Sequence, residues 1–180
     1  APIICLVFAR NPSDLTMIKA LTLILALAGT VTAASAQDAK AGEKKAAMCI
    51  GCHGIIGYQA SFPEVHKVPM ISGQNAKYIA AALAAYKKGE RKHPTMRAIA
   101  DTLSDADMAD LAAYYEQHGK SSLVMVADTP AKQPSAEVAA LLTKGACASC
   151  HGANYSKPID GSYPKLAGQY ADYLYVALKA

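Results

Sequence analysis

Charged residues are scarce in this sequence of 180 residues. Asp, Glu, Lys and Arg together make up 18% of it, whereas apolar residues make up 52%. This balance excludes an intrinsically disordered chain, because such chains combine low hydrophobicity with high net charge. No dense basic run is present either, and residues 37–180 hold 16 Lys and Arg against 13 Asp and Glu. Nucleic acid is therefore not expected as the main partner.

Convincing alternation of apolar and polar residues is also missing, so the sequence predicts no β-strands. Helical patterns are present instead. Residues 75–88 place apolar side chains at helical spacing and are followed by Gly89. Ser104 with Asp107 resembles a capping box, and the apolar stripe after it ends at Gly119. Further helices are predicted at residues 38–48, 135–144 and 169–179. The predicted fold class is all-α.

Cysteine is rare, and its distribution is the strongest signal in the sequence. Apart from Cys5, the cysteines lie in two Cys-x-x-Cys-His motifs, formed by Cys49, Cys52 and His53, and by Cys147, Cys150 and His151. This motif is the attachment signature of c-type haem. Residues three apart share a helix face, so both thiols can reach the vinyl groups of one haem while the histidine becomes its proximal iron ligand. Two haem c groups are predicted. A zinc site would require the two cysteine pairs to meet, and a thioredoxin-type pair would require a βαβ setting.

The two motifs belong to a longer repeat. "VPMISGQNAKYIAAAL" after the first motif matches "YPKLAGQYADYLYVAL" after the second, with an offset of 95 residues. We therefore predict two tandem domains of one fold at residues 37–119 and 135–180. The two are joined by a linker at residues 120–134 that contains two prolines. Counterparts of Met96 and of the capped helix would fall beyond residue 180, so the second domain is expected to be partial.

Residues 17–36 have the pattern of an export signal. The chain begins with Ala1, and its first methionine, Met17, precedes an apolar run and an Ala-Ser-Ala sequence that ends at residue 36. We interpret residues 17–36 as a secretory signal peptide, and residues 1–16 as upstream sequence from a wrong start assignment. This interpretation predicts export to the periplasm. A retained membrane anchor is the alternative.

The remaining haem contacts are less clearly indicated. Met96, in the segment "HPTM" that we predict to be a loop, is the favoured distal ligand of the first iron. His93 is the alternative, which would give bis-histidine ligation. Pro69 and Pro164 each offer a carbonyl that could hold the other ring nitrogen of a ligating histidine, although they could equally serve only to shape a turn.

Cations crowd the sequence around Met96. They are interpreted as a docking surface for an acidic redox partner, as counter-charge for haem propionates, or as the solvated end of a helix. The residues are Lys77, Lys87, Lys88, Arg91, Lys92 and Arg97.

These motifs carry a family resemblance. "CIGCHG", "HPTM" and "LSDADMADLAAYY" resemble successive parts of a class I cytochrome c domain, and "CASCHG" begins a second one. The chain as a whole is similar to the two-haem cytochrome c4 family of bacteria. The resemblance implies an exported electron carrier with one haem per domain, His and Met ligands, and proline carbonyls at Pro69 and Pro164 that accept from the ligating histidines. It also implies redox partners, namely a quinol-oxidising complex and a terminal oxidase or reductase, with peripheral contact at the membrane.

Two other functions remain open on the sequence alone. The 180 residues hold no identifiable distal ligand for the second haem, which would suit a two-haem peroxidase. The chain could also be the cytochrome subunit of a larger dehydrogenase or oxidase. Because nothing resembles a catalytic base or nucleophile near the motifs, an electron carrier without substrate turnover is preferred.

Overall fold

The computed structural model describes residues 37–119, 126 and 133–179. The predicted upstream segment, the predicted signal peptide and most of the predicted linker lie outside these residues. Residues 37–180 form one compact unit. We refer to residues 37–119 as the first repeat and to residues 135–180 as the second repeat.

Helices dominate the described part of the chain. In the first repeat they are α1 (Ala39–Lys45), α2 (Ala47–His53), α3 (Ala76–Lys88), α4 (Pro94–Asp101) and α5 (Asp105–His118). In the second repeat they are α6 (Ala136–Lys144), α7 (Ala148–His151) and α8 (Ala171–Lys179). The all-α prediction is confirmed apart from a minimal antiparallel pair, β1 (Gln59–Ala60) and β2 (His66–Lys67), in which Ala60 lies opposite His66. Two residues are too few to produce a detectable alternation.

The helix ends follow the capping chemistry that the sequence predicts. At α5, the backbone N–H of Asp107 donates to Ser104 Oγ at 3.1 Å, and the N–H of Ser104 donates to Asp107 Oδ2 at 2.9 Å. Helix α3 ends at Gly89, whose φ of 77° is left-handed and therefore favours glycine. The single helix predicted at 38–48 is wrong in one respect, because the chain turns at the fully buried Ala46 and divides it into α1 and α2.

The core of the first repeat lies along α5, which packs against both α1 and α3. Helix α5 contributes most of it, with Met108, Leu111 and Tyr115 all buried. Ile79 of α3 packs against the same cluster. The burial of Met108 agrees with the apolar stripe that the sequence predicts between Ser104 and Gly119. Cys49 of α2, the helix that follows α1 directly, packs against this core.

Gly42 allows α1 to approach α5 at backbone distance. A Cβ atom added at Gly42 would lie 2.1 Å from the carbonyl oxygen of Asp110. Lys45, at the end of the same helix, bridges Asp107 at 2.7 Å and Asp110 at 2.8 Å. A side chain at position 42 would therefore separate two helices that are also joined by ion pairs.

We expect Gly42→Ala to lower the free energy of unfolding by about 3 kcal/mol, the upper end of the cost of overpacking, because the obstacle is backbone and cannot rotate away. Denaturant unfolding of the haem-loaded protein measures this effect. Lys44→Ala is the matched control, since Lys44 is exposed on the same helix and surface changes stay within about 0.5 kcal/mol. Equal stability of the two variants would contradict the close crossing.

Polar contacts join the second repeat to the first. Lys77 Nζ lies 2.8 Å from Asp160 Oδ1, and helix α8 packs against β2. Further contacts join Gly57 to Tyr170, Lys67 to Asp172, Asn75 to Tyr163 and Glu64 to Lys179. Val126, a described residue of the predicted linker, is fully buried against Met70 and donates its N–H to Ser72 O at 3.0 Å.

The cations around Met96, for which the sequence left a docking surface, counter-charge for haem propionates and a solvated helix end open, are used partly inside the molecule. Arg91 donates to Tyr78 Oη at 2.8 Å and to Tyr173 Oη of the second repeat at 3.3 Å. Lys87 Nζ donates to the carbonyl of Leu103. Lys77 is bound to Asp160, so three of the six cations serve intramolecular contacts. The positions of these residues in the sequence do not indicate such contacts.

Candidate functional site

The first Cys-x-x-Cys-His motif forms helix α2. Cys49 and Cys52 are half-buried free thiols, one helical turn apart. Burial raises the pKa of the Cys49 thiol, which therefore stays protonated at neutral pH. The helix thus presents two unpaired sulfur atoms on one face, followed at once by His53.

His53 is buried, and its ring orientation is set by the main chain. Its Nδ1 donates to the carbonyl oxygen of Pro69 at 2.7 Å. Because a carbonyl can only accept, the proton resides on Nδ1, and Nε2 of the neutral ring keeps its lone pair. Burial lowers the pKa of His53, so the ring is neutral at physiological pH. A neutral imidazole with a free nitrogen is the form that binds a metal.

The second motif repeats this arrangement. Cys147 immediately precedes α7, which carries Cys150 and His151. His151 Nδ1 donates to the carbonyl of Pro164 at 2.9 Å. Cys147 and Cys150 are free and half-buried, as in the first motif. Both prolines that the sequence singles out therefore place their carbonyls on the histidine of the preceding motif.

The surroundings of Met96 differ from the prediction. The predicted loop ends at His93, and Met96 lies in the first turn of α4, which begins at Pro94. Proline suits this first position because its missing N–H would have no helical partner there. The prediction placed Met96 in irregular chain because the segment 91–95 carries no apolar stripe.

His93 has a local role that sequence reasoning missed. It is the N-cap of α4, where its Nδ1 accepts from the backbone N–H of Met96 at 3.3 Å. A ring that accepts at Nδ1 carries its proton on Nε2, so neither nitrogen is free for iron while the cap is formed. The cap therefore argues against His93 as the distal ligand of the first iron and leaves Met96 as the candidate ligand on α4. The signal that could have indicated this cap is the spacing of three residues between His93 and Met96, because an N-cap side chain accepts from the N–H two or three residues further on.

Several features test whether the site suits a haem. Tyr115 is buried with its hydroxyl beside the Cys49 sulfur, and burial followed by that sulfur raises its pKa. Large apolar side chains near the first motif are exposed, among them Ile50 at 45% and Ile56 at 68%. Two thiols can attach an apolar macrocycle, a free imidazole nitrogen can bind its metal centre, and exposed aliphatic groups can pack against its faces. The residues present fit haem c.

A zinc site fits less well. Within residues 37–119, 126 and 133–179, no group of three or more His, Cys, Asp or Glu side chains is arranged to hold a metal ion. The two cysteine pairs therefore do not come together in the way that the zinc alternative requires. The same ranges contain no helix whose length and apolar character would let it cross a membrane.

Comparison with known proteins agrees with this geometry. The cytochrome c family model matches residues 39–118 and 135–180. Cytochrome c4 of Azotobacter vinelandii is 35% identical over 172 residues, which cover 88% of this chain and 79% of that protein. A protein of Thiomonas intermedia named as an electron acceptor of thiosulfate dehydrogenase is 30% identical, over 88% of this chain and 73% of its own.

A solved structure gives the same result in three dimensions. The crystal structure of reduced recombinant cytochrome c4 from Pseudomonas stutzeri superposes with a TM-score of 0.59 at 31% identity, covering 80% of each chain. The family model therefore spans both repeats, and the likeness to cytochrome c4 holds in sequence and in fold. This chain belongs to the cytochrome c family, as a tandem-domain, two-haem member of the cytochrome c4 group with covalently attached haem c.

Proposed function

We propose that this protein is a periplasmic carrier of electrons between a quinol-oxidising complex and a terminal oxidase or reductase, with no substrate turnover of its own. The single observation that supports it best is the duplicated site. In both repeats a Cys-x-x-Cys pair is followed by a histidine whose Nδ1 donates to a proline carbonyl. Haem iron supplies reversible one-electron chemistry, and protein ligands and burial set its potential.

Each residue of the site has a definite task in this proposal. Cys49 and Cys52 would form the thioether bonds of the first haem, and Cys147 and Cys150 those of the second. His53 and His151 would be the proximal ligands, and Met96 the distal ligand in the first domain. The domains at residues 37–119 and 135–180 would each hold one haem.

Pro69 and Pro164 would orient the proximal ligands. A carbonyl that accepts from Nδ1–H fixes the tautomer and the plane of the ring, and it raises the basicity of Nε2. The short 2.7 Å contact in the first repeat involves a buried histidine, so water does not compete for it. The protein thereby presents a rigid ligand to the metal.

Purification of the full chain from an exporting host tests the proposal. We expect haem staining to persist after denaturing electrophoresis, and a reduced-minus-oxidised spectrum of low-spin c-type haem. We also expect reduction by a quinol-oxidising membrane fraction and oxidation by an oxidase fraction. Absence of covalent haem would refute the proposal. Rapid peroxide turnover would instead favour the two-haem peroxidase.

A second candidate is the electron-accepting subunit of a larger dehydrogenase. It is favoured by the similarity to proteins of Thiomonas intermedia and Stutzerimonas stutzeri that are named as thiosulfate dehydrogenase electron acceptors. In that case the donor would be that dehydrogenase rather than a quinol-oxidising complex. Reduction by a purified thiosulfate dehydrogenase, with none by the membrane fraction, would distinguish the two.

A further inference from the structure

Two equivalent glutamines form matching hydrogen bonds across the interface between the repeats. Gln74 and Gln169 occupy the same position of the repeated segment, 95 residues apart. Gln169 Oε1 accepts from the backbone N–H of Met70 at 3.0 Å, and its Nε2 donates to Met70 O at 2.9 Å. Gln74 does the same to the second repeat, accepting from Lys165 N at 2.8 Å and donating to Lys165 O at 3.0 Å. Each side-chain amide thus pairs with one residue of the other repeat.

The residues so paired lie directly after the two prolines. The N–H of Met70 belongs to the same peptide group as the carbonyl of Pro69, which accepts from His53. The N–H of Lys165 likewise shares a peptide group with the carbonyl of Pro164, which accepts from His151. One peptide group therefore connects each motif histidine to a glutamine of the opposite repeat.

Both glutamine amides are held in place by their own backbone. Gln74 is 3% exposed, and its Oε1 also accepts from the N–H of Asn75 at 3.0 Å. Gln169 Oε1 accepts from the N–H of Tyr170 at 3.1 Å. The acceptor oxygen is therefore held toward the peptide N–H, and little side-chain entropy remains to be lost.

We propose that Gln74 and Gln169 are positioning residues that act crosswise, each on the proximal histidine of the other domain. The inference rests on the proposed role of His53 and His151 as iron ligands. A peptide whose N–H donates to an acceptor is polarised, which strengthens its carbonyl as an acceptor. A stronger acceptor at Nδ1–H makes the imidazole a better electron donor and favours ferric iron. The interface between the domains thereby sets part of each reduction potential.

Substitution of one glutamine at a time tests the crosswise action. In the haem-loaded full chain, Gln169→Leu is expected to raise the potential of the haem attached at His53 and to leave the other nearly unchanged. Gln74→Leu is expected to do the reverse. Haem methyl resonances followed by NMR through a redox titration resolve the two potentials. The ring Nδ1–H resonances of His53 and His151 report the hydrogen bonds directly.

A charged variant supplies a test that a purely structural role would not pass. Gln169→Glu loses the donation to Met70 O but keeps an acceptor for Met70 N–H and makes it anionic, which strengthens that one bond. The potential of the His53 haem should then fall, opposite in sign to Gln169→Leu. Because a new negative charge also lowers the potential through space, the His53 Nδ1–H resonance is the deciding readout, and the two variants should shift it in opposite directions. If the glutamines only held the domains together, both variants would loosen the interface and shift this resonance in the same direction.

Lys77→Met is the matched control, because it removes the interface ion pair with Asp160 without touching either proline peptide. It should leave both histidine Nδ1–H resonances unchanged. Equal effects of each glutamine variant on the two haems, or effects matched by Lys77→Met, would overturn the inference. Two covalent haems with histidine ligation and no crosswise effect would refute this inference alone, whereas absence of haem would refute the proposed function.

Discussion

Cys49→Ala combined with Cys52→Ala is expected to halve the covalently bound haem of the protein. Both thiols lie on one face of α2 and are free of disulfide bonds, so each is available for a thioether bond. Without either sulfur, the first haem would be held only by axial ligation and would be lost on denaturation. The haem-to-protein ratio after denaturation, together with the mass of the intact chain, measures the loss.

The second motif offers a reciprocal variant. Cys147→Ala with Cys150→Ala should remove the other haem and leave the first in place. Met48→Ala is the matched control, because Met48 adjoins Cys49 on α2 but is 50% exposed and carries no proposed role. A double cysteine variant that keeps the full haem complement would show that its motif does not attach haem.

Met96→Ala is expected to abolish the methionine–iron absorption band of the first haem and to lower its reduction potential. Methionine raises the potential of a haem relative to ligands that donate more strongly. Axial ligands set haem potentials over a range of about 0.8 V, so the expected fall is on the order of 0.1 V. Potentiometric titration combined with the long-wavelength spectrum checks both effects.

His93→Ala separates the two candidates for distal ligand. Because His93 caps α4, its loss is expected to destabilise the protein by about 1 kcal/mol. The methionine–iron band should nevertheless remain. A wild-type spectrum of bis-histidine type that changes in His93→Ala, with Met96→Ala silent, would reverse the assignment.

The helix predictions depended on local sequence patterns. The α5 capping box and the glycine that ends α3 were predicted because their signals lie within four residues of the feature they cause. The same holds for the two Cys-x-x-Cys-His motifs, whose chemistry depends on neighbours one helical turn apart. The first turn of α4 was predicted as a loop because the segment 91–95 carries no apolar stripe and because its N-cap is a histidine, a residue type that rarely marks a helix start.

The amino-acid sequence by itself determined the all-helical class, the duplication and the haem chemistry of the two motifs. The sequence left Pro69 and Pro164 between a histidine contact and a turn, and the tertiary structure places their carbonyls on histidines 16 and 13 residues away. Only the tertiary structure decided which glutamine meets the peptide that carries each carbonyl, 99 and 91 residues away. It also decided that three of the cations around Met96 serve contacts within the chain. The physical reason is that helical periodicity reports neighbours within a turn or two, whereas contacts between distant segments depend on how packed helices bring them together.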